Sequence, residues 1–142
     1  MSAAALLLDT HTAIWLVEGK LGAPILDLIV ESGMSDGVYV SPISAWEIGL
    51  LARPRAGRRP RIAFTPDPQS WFAGLMGQPI IRPAPFTAEI VLSASFLPNG
   101  LHNDPADRLL IATARHMGVP LVTRDDKILD YARRGHVAAI AC

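Results

Sequence analysis

Short apolar segments that alternate with helical patterns are the feature that most constrains the fold of this chain. Leu6–Leu8, Val38–Val40 and Leu121–Val122 are too short to be helices, and each would place apolar side chains on both faces of a strand. Strands buried on both faces, separated by helices of two to three turns, indicate a parallel sheet with helices packed on each side. We therefore predict a three-layer α/β/α sandwich around a central, mainly parallel sheet of four to five strands.

Length and composition favour one domain. The chain has 142 residues, half of them apolar, whereas a domain averages roughly 100 to 200 residues. The segment 53–69 is rich in proline and arginine, but it is too short for a linker between domains and is expected to be a mobile surface loop. A single domain over residues 1–142 is therefore predicted.

The apolar start of the chain and its cysteine content bear on localisation. Met1 to Leu8 lacks a basic leader and is interrupted by Asp9, so a buried strand is expected rather than a signal sequence. Elsewhere no apolar run approaches the roughly 18 to 20 residues of a membrane span. The only cysteine is Cys142, which excludes an internal disulfide and cysteine-rich zinc sites. A cytoplasmic, membrane-free protein is expected.

Four acidic residues lie where predicted strands end or predicted helices begin. Asp9 follows the first strand, and Asp125 follows the strand that ends at Thr123. Ser44 is predicted to cap the third helix, which places Glu47 at about its third position, and Asp107 lies near the start of a later helix. Ligands of an open α/β sheet bind beyond the carboxyl ends of its strands, so these side chains are expected to converge there.

Carboxylates gathered without basic partners repel one another, and hard cations such as Mg²⁺ or Mn²⁺ relieve that repulsion. Such ions polarise a phosphate and activate water, which phosphodiester hydrolysis requires. Each acid also has a simpler structural interpretation. Asp104 and Asp107 have the spacing of a capping box, Asp125 is suited to capping the last helix, and Asp9 is suited to a turn.

The order of these motifs resembles the PIN-domain ribonucleases, and most closely the VapC-type toxins of type II toxin–antitoxin systems. The resemblance spans nearly the whole chain. It rests on Asp9-Thr10-His11, Ser44-Ala45-Trp46-Glu47-Ile48, His102-Asn103-Asp104-Pro105-Ala106-Asp107-Arg108-Leu109-Leu110-Ile111-Ala112 and Val122-Thr123-Arg124-Asp125. Ala106 departs from the pattern, because relatives often carry an aromatic residue there.

The resemblance implies a metal-dependent endoribonuclease toxin that a cognate antitoxin neutralises. It implies a homodimer, an RNA substrate, Mg²⁺ or Mn²⁺ as cofactor, and direct attack of water that leaves a 5′-phosphate and a 3′-hydroxyl. The residues that match the family's catalytic and metal-binding acids are Asp9, Glu47, Asp107 and Asp125. Those expected to support them are Asp104, Asp126, Thr10 and Thr123. His11 and His102 are expected to form hydrogen bonds rather than to bind metal.

Two surface features have more than one interpretation. Five arginines fall within nine positions and form a local positive cluster that suits RNA or the antitoxin, although a solvated loop is the alternative. They are Arg53, Arg55, Arg58, Arg59 and Arg61. The aromatic residues Trp15, Trp46, Trp71 and Phe72 are expected in the core.

Two other functions remain open from the sequence. A haloacid-dehalogenase-like phosphotransfer enzyme would use Asp9 as nucleophile, but its second aspartate is replaced by His11. A non-catalytic α/β binding module would use the acids only as helix caps. Metal titration discriminates the second alternative from a nuclease.

Overall fold

A computed structural model of the protein describes residues 4–142, so the first three residues of the predicted domain lie outside the described residues. Five strands and seven α-helices are present in the described part. The strands are β1 (Leu6–Leu8), β2 (Val38–Val40), β3 (Ile81–Pro83), β4 (Leu121–Thr123) and β5 (Ala139–Ala141). The helices are α1 (Thr10–Glu18), α2 (Ala23–Gly33), α3 (Pro42–Ala52), α4 (Pro68–Met76), α5 (Ala88–Ser93), α6 (Pro105–Met117) and α7 (Asp126–Arg133).

The sheet has the order β3-β2-β1-β4-β5, and every neighbouring pair is parallel. The predicted parallel sheet of four to five strands is therefore confirmed. From β1 the chain adds β2 and β3 on one side, and then returns to add β4 and β5 on the other. The direction of winding thus reverses between β1 and β4, where the loops diverge and leave room for a ligand.

The three layers follow from the alternation of side chains along β1. Leu7 points to a cluster that contains buried residues of α5, α6 and α7, such as Ile90, Leu110 and Ile128. Leu6 and Leu8 point to the opposite cluster, which contains Ala13 of α1, Ile29 of α2 and Leu75 of α4. Helices therefore cover both faces of the sheet, as predicted.

Helix α3 begins earlier than the sequence pattern indicated. Ser41, and not Ser44, is its cap, and the Ser41 hydroxyl accepts a 3.1 Å hydrogen bond from the backbone N–H of Ile43. Proline suits the first helical position because its fixed φ angle is already helical and its missing N–H is not needed there. Pro42 therefore starts the helix, and Glu47 is its sixth residue instead of its third.

Most other predicted boundaries hold within a few residues. Asp67 and Asp104 cap α4 and α6, each followed by proline, as predicted. The third strand begins at Ile81 rather than Ile80, and the last is shorter than the predicted 137–141. Helix α5 ends at Ser93, and a 3₁₀ turn continues to Phe96.

The arginine-rich segment packs against the rest of the domain at its second half, whereas a surface loop was predicted for its whole length. The backbone N–H of Ile62 donates to the carbonyl of Leu51 at 3.1 Å. Phe64 is buried against Ile14 of α1 and Ile48 of α3. Within residues 4–142, none of the helices has the length and apolar character required to cross a membrane.

Candidate active site

A cleft of about 410 Å³ lies at the carboxyl ends of β1 and β4, where the winding of the sheet reverses. Five carboxylates line it, together with His11, Trp15 and Arg124; they are Asp9, Glu47, Asp104, Asp107 and Asp125. A larger cleft of about 530 Å³ lies between α1, α4 and β3, but none of the side chains that line it is ionisable. The acid-lined cleft is therefore the candidate site for chemistry.

Asp9 is held rigidly at the point where β1 becomes α1. It is 9% exposed, and its Oδ1 atom accepts from the backbone N–H of Thr10 at 2.7 Å, which caps the helix. Its Oδ2 atom accepts from the hydroxyl of Thr123 at 2.7 Å. Both carboxylate oxygens thus have a donor, which fixes the orientation of this buried side chain.

Asp125 is connected to Asp9 through the same threonine. The Thr123 hydroxyl accepts from the backbone N–H of Asp125 at 3.0 Å while it donates to Asp9. Asp125 also caps α7, because its Oδ1 atom accepts from the N–H groups of Lys127 at 2.9 Å and Ile128 at 3.0 Å. Asp125 therefore caps a helix and lines the cleft at once.

Glu47 reaches the cleft from α3 and is positioned by a short chain of hydroxyls. The buried hydroxyl of Thr10 donates to Glu47 Oε1 at 2.5 Å. A hydroxyl has one proton to donate, so Ser44, whose Oγ atom lies 2.8 Å from that of Thr10, acts as the donor to Thr10. Ser44, predicted as a helix cap, instead supports a side chain of the site.

Asp107 is positioned from two sides. Its carboxylate Oδ2 atom lies 2.7 Å from His102 Nε2, and its backbone N–H donates to Asp104 Oδ1 at 3.0 Å. His102 therefore forms the expected hydrogen bond to an acid. Asp104 has the predicted capping role and also lines the cleft.

Among the described residues, the cleft carries five carboxylates but only one arginine, so negative charge is in excess. Burial raises the pKa of Glu47 to about 7 and that of Asp107 to about 6, and the neighbouring carboxylates add to both increases. Burial also raises the pKa of Asp9, although hydrogen bonds from Thr123 and Thr10 oppose the increase. Asp9, Glu47 and Asp107 therefore hold their protons to higher pH than ordinary carboxyls do.

This donor set fits a hard divalent cation. Within residues 4–142, no three acidic, imidazole or thiol groups already stand close enough to enclose one ion. Mg²⁺, however, is usually held by one or two carboxylates and keeps several waters, so a roomy, acid-lined cleft is suitable. The oxygen ligands and the excess of negative charge favour Mg²⁺ or Mn²⁺ over softer metals.

Several residues singled out from the sequence lie outside the cleft. Asp126 is exposed in the first turn of α7 and is not among the lining residues. The arginine-rich loop also lies outside the cleft. Its exposed arginines are Arg53, Arg58, Arg59 and Arg61, and Arg55 is partly exposed.

Two residues of the cleft were missed from the sequence. Trp15 was expected in the core but lines the cleft, and Arg124 lines it beside Asp125. Arg124 lies between Thr123 and Asp125 in one of the quoted motifs, and this position could have indicated that Arg124 also lies at the cleft. Trp46 was also expected in the core, but it is 51% exposed because it points away from the apolar side of α3 that carries Ile43 and Ile48.

Comparisons with known proteins agree with this architecture. The family model described as PIN domain matches residues 6–134. Ribonuclease VapC22 of Mycobacterium tuberculosis (strain ATCC 25618 / H37Rv) is 32% identical over 123 residues, which are 86% of this chain and 88% of that protein.

Solved structures share the fold at low sequence identity. The crystal structure of VapBC2 from Rickettsia felis, bound to a DNA fragment from its promoter, aligns with a TM-score of 0.67 at 14% identity, and covers 96% of this chain and 98% of that one. DNA-bound VapBC from Salmonella typhimurium aligns with a TM-score of 0.56 at 18% identity, over 97% and 98% of the two chains. FitAcB from Neisseria gonorrhoeae aligns with a TM-score of 0.54 at 20% identity, over 95% and 96%.

The family match covers nearly the whole described chain, and it provides no support for the haloacid-dehalogenase-like alternative. The predicted likeness to VapC-type proteins is confirmed by both the relative and the shared fold. On its sequence and its architecture, this chain belongs to the PIN domain family.

Proposed function

We propose that this protein is a metal-dependent endoribonuclease toxin that hydrolyses RNA phosphodiester bonds and is neutralised by a cognate antitoxin. The observation that carries the proposal is the convergence of five carboxylates on one cleft at the point where the winding of the sheet reverses. Similarity to Ribonuclease VapC22 supports RNA as the substrate class.

In this proposal Asp9, Glu47, Asp107 and Asp125 hold Mg²⁺ or Mn²⁺ and are the catalytic acids. A bound divalent ion would lower the pKa of a water molecule next to it. It would also stabilise negative charge on the phosphate and on the departing oxygen. The raised pKa values of Glu47 and Asp107 support this role, because a bound cation would favour the ionised form of both carboxyls.

The remaining polar residues position the acids. Thr123 orients Asp9, Thr10 orients Glu47, and His102 orients Asp107. Asp104 supports Asp107 through the cap of α6. Asp126 lies outside the cleft. We assign it no contact with the metal, and it contributes only a negative charge at the start of α7.

The cleavage step follows from this arrangement of acids. Water attacks the phosphorus atom directly, the bond to the 3′ oxygen breaks, and that oxygen leaves with a proton. The products are a 5′-phosphate and a 3′-hydroxyl, and the ribose 2′-hydroxyl takes no part as nucleophile.

An antitoxin and a second copy of this chain are the proposed protein partners. VapBC and FitAcB complexes among the structural neighbours support an antitoxin. Exposed apolar side chains on α5 and the following 3₁₀ turn, namely Val91, Leu92 and Phe96, support a protein contact there and suit the homodimer. The arginine-rich loop is assigned to RNA or to the antitoxin. A cytoplasmic location is proposed as well, since the proposed substrate is RNA.

RNA cleavage by purified protein tests the proposed function. Wild type is compared with Asp9→Asn and Glu47→Gln in Mn²⁺ or Mg²⁺, with Asp126→Asn as the matched control outside the cleft. We expect cleavage by wild type and by the control, and a loss of at least about a hundredfold in the two cleft variants. Loss of wild-type cleavage in a chelator, and its return with Mn²⁺, is expected as well. Equal cleavage by all four proteins would contradict the proposed mechanism.

If no RNA is cleaved by any of these proteins, the non-catalytic binding module becomes the better account. Binding of Mn²⁺ separates the two cases, because a module whose acids serve only as helix caps has no need of the ion. If the DNA adjoining the gene encodes a short antitoxin-like chain, expression with and without that chain tests the antitoxin. Growth arrest is expected only without that partner.

A further inference from the structure

Arg124 is the only lysine or arginine that lines the acidic cleft among the described residues. It lies between Thr123, which contacts Asp9, and Asp125, which caps α7. A cation at this position faces five carboxylates, yet it forms no ion pair with any of them within residues 4–142. Its role is therefore something other than neutralising one of the acids.

The guanidinium group is held in place by two contacts that leave part of it free. Its central carbon lies 4.0 Å from the centroid of the Trp15 ring, which is a cation–π arrangement. Its Nε atom donates to the backbone carbonyl of Cys142 at 2.9 Å. The two terminal nitrogens have no hydrogen-bond partner in the part of the chain that the structure describes. A fixed, exposed guanidinium with free donors is suited to an anionic ligand.

Trp15 is itself fixed by the site. It lies on α1, one helical turn beyond His11, and the centroids of the two rings are 5.7 Å apart. Asp9 caps the same helix, so Trp15 and one acid of the cleft belong to the same structural element. One face of the indole is covered by Arg124, so this face is not available for stacking with a base.

The chemistry of the proposed substrate suggests what Arg124 contacts. RNA carries one phosphate per nucleotide, and the acidic cleft repels every phosphate except the one that reaches a bound cation. A neighbouring phosphate therefore requires a positive side chain beside the cleft. The guanidinium fork matches two phosphate oxygens, and such charged hydrogen bonds are stronger than neutral ones.

We propose that Arg124, stacked on Trp15 and held by the carbonyl of Cys142, binds the RNA backbone phosphate next to the one that is cleaved. Arg124 is a substrate-binding residue, and Trp15 is a positioning residue that acts through it. This inference rests on the proposed function, and it names a contact by which the same cleft selects the path of a single RNA strand.

The test measures kcat, KM and the salt dependence of kcat/KM for cleavage of a short, mixed-sequence single-stranded RNA in Mn²⁺. Arg124→Gln is compared with wild type, and Arg133→Gln is the matched control, since Arg133 is 70% exposed on α7 and outside the cleft. We expect Arg124→Gln to raise KM about tenfold with kcat within about threefold of wild type. The slope of log(kcat/KM) against log[salt] should become shallower by about 0.7, the value for one phosphate contact of a single strand.

Conservative variants separate positioning from folding. Arg124→Lys keeps the charge, so it should keep the salt slope while KM rises by a smaller factor. Trp15→Leu should raise KM, and Trp15→Phe should restore most of the loss because an aromatic face is again available. A general folding defect would instead lower kcat and the thermal midpoint together in all of these variants.

Two results would overturn the inference while the proposed function stands. One is cleavage by Arg124→Gln with the KM and the salt slope of wild type. The other is a loss of kcat alone with an unchanged slope, which would mean that Arg124 acts on Asp125 rather than on RNA. Failure of wild type itself to cleave RNA is a different outcome, and it rejects the proposed function together with the inference.

Discussion

Thr123 Oγ1 lies 2.7 Å from Asp9 Oδ2 and donates its proton to it. The same oxygen accepts from the backbone N–H of Asp125 at 3.0 Å, so one hydroxyl connects the acids that follow β1 and β4. These are the neighbouring strands between which the winding of the sheet reverses. The topology of the fold is thereby linked directly to the geometry of the acids.

Substitution of Thr123 tests this link. Thr123→Val keeps the shape of the side chain but removes the donor to Asp9, so about a ten- to hundredfold loss of activity or of metal affinity is expected. The free energy of unfolding should fall by about 1–3 kcal/mol, because the buried hydrogen-bonding groups lose their partner. Thr123→Ser keeps the hydroxyl and serves as the control. A valine variant with the Mn²⁺ requirement of wild type would show that the hydroxyl does not position the site.

The raised pKa values of the acids predict how the metal-free protein responds to pH. Unfolded carboxyls lose their protons near pH 4, whereas folding raises the pKa of Glu47 to about 7 and of Asp107 to about 6, and raises that of Asp9 as well. Between about pH 4 and pH 7 the folded state binds more protons than the unfolded state, so the free energy of unfolding falls as pH rises. For Glu47 and Asp107, both states are protonated below this range and both are ionised above it.

Thermal unfolding in a chelator at about pH 5 and pH 8 measures the effect. After allowance for solvent screening, these groups should lower stability by roughly 1–2 kcal/mol at the higher pH, or about 3–6 °C in Tm. Glu47→Gln removes one of the titrating groups, so its Tm should depend less on pH and exceed that of wild type at pH 8. A wild-type Tm that rises steadily from pH 5 to pH 8 would be incompatible with the pKa directions.

Two helical glycines differ in the space around them and form a matched pair for stability. A Cβ atom on Gly33, the last residue of α2, would lie 2.4 Å from Cβ of Ile80, whereas one on Gly49 of α3 would meet nothing within 4 Å. Gly33→Ala should therefore lower the free energy of unfolding by about 1–3 kcal/mol through overpacking. Gly49→Ala should raise it by up to about 1 kcal/mol, because alanine favours the helix.

Denaturant titration of both variants measures these changes. Equal effects of the two substitutions would mean that helix α2 and the start of β3 are not packed as closely as the structure has them. Activity serves as a second readout for Gly33→Ala, since Gly33 lies outside the cleft and its loss should leave the Mn²⁺ requirement unchanged.

The central elements of the fold were predictable because their sequence signals are local. Leu6–Leu8 and Leu121–Thr123 have the apolar pattern of buried strands, and Asp104 with Pro105 marks the start of α6. The start of α3 was misplaced because Ser41 and Ser44 are both good caps, and only the contacts of the folded chain distinguish them. Ser44 instead forms a hydrogen bond with Thr10, which lies 34 residues away along the chain.

The acids of the cleft could be predicted from the ends of the strands and the order of the motifs. The side chains that surround these acids could not. The cation–π contact between Arg124 and Trp15 joins residues more than a hundred positions apart, and no periodic pattern carries that information. The exposure of Trp46 was also hidden, because α3 is apolar around much of its circumference and its buried side could not be identified from the sequence. Long-range pairing of side chains is what the sequence alone left undetermined.

Anomalous X-ray scattering from crystals grown with Mn²⁺ tests most directly whether the acidic cleft is a metal site. The account predicts a manganese peak in the cleft within coordination distance of the Asp9 carboxylate and of at least one of Glu47, Asp107 and Asp125, with water completing the shell. The peak should be absent from crystals of Asp9→Asn grown in the same way. A cleft without manganese in wild-type crystals that contain the ion at a saturating concentration would contradict the account.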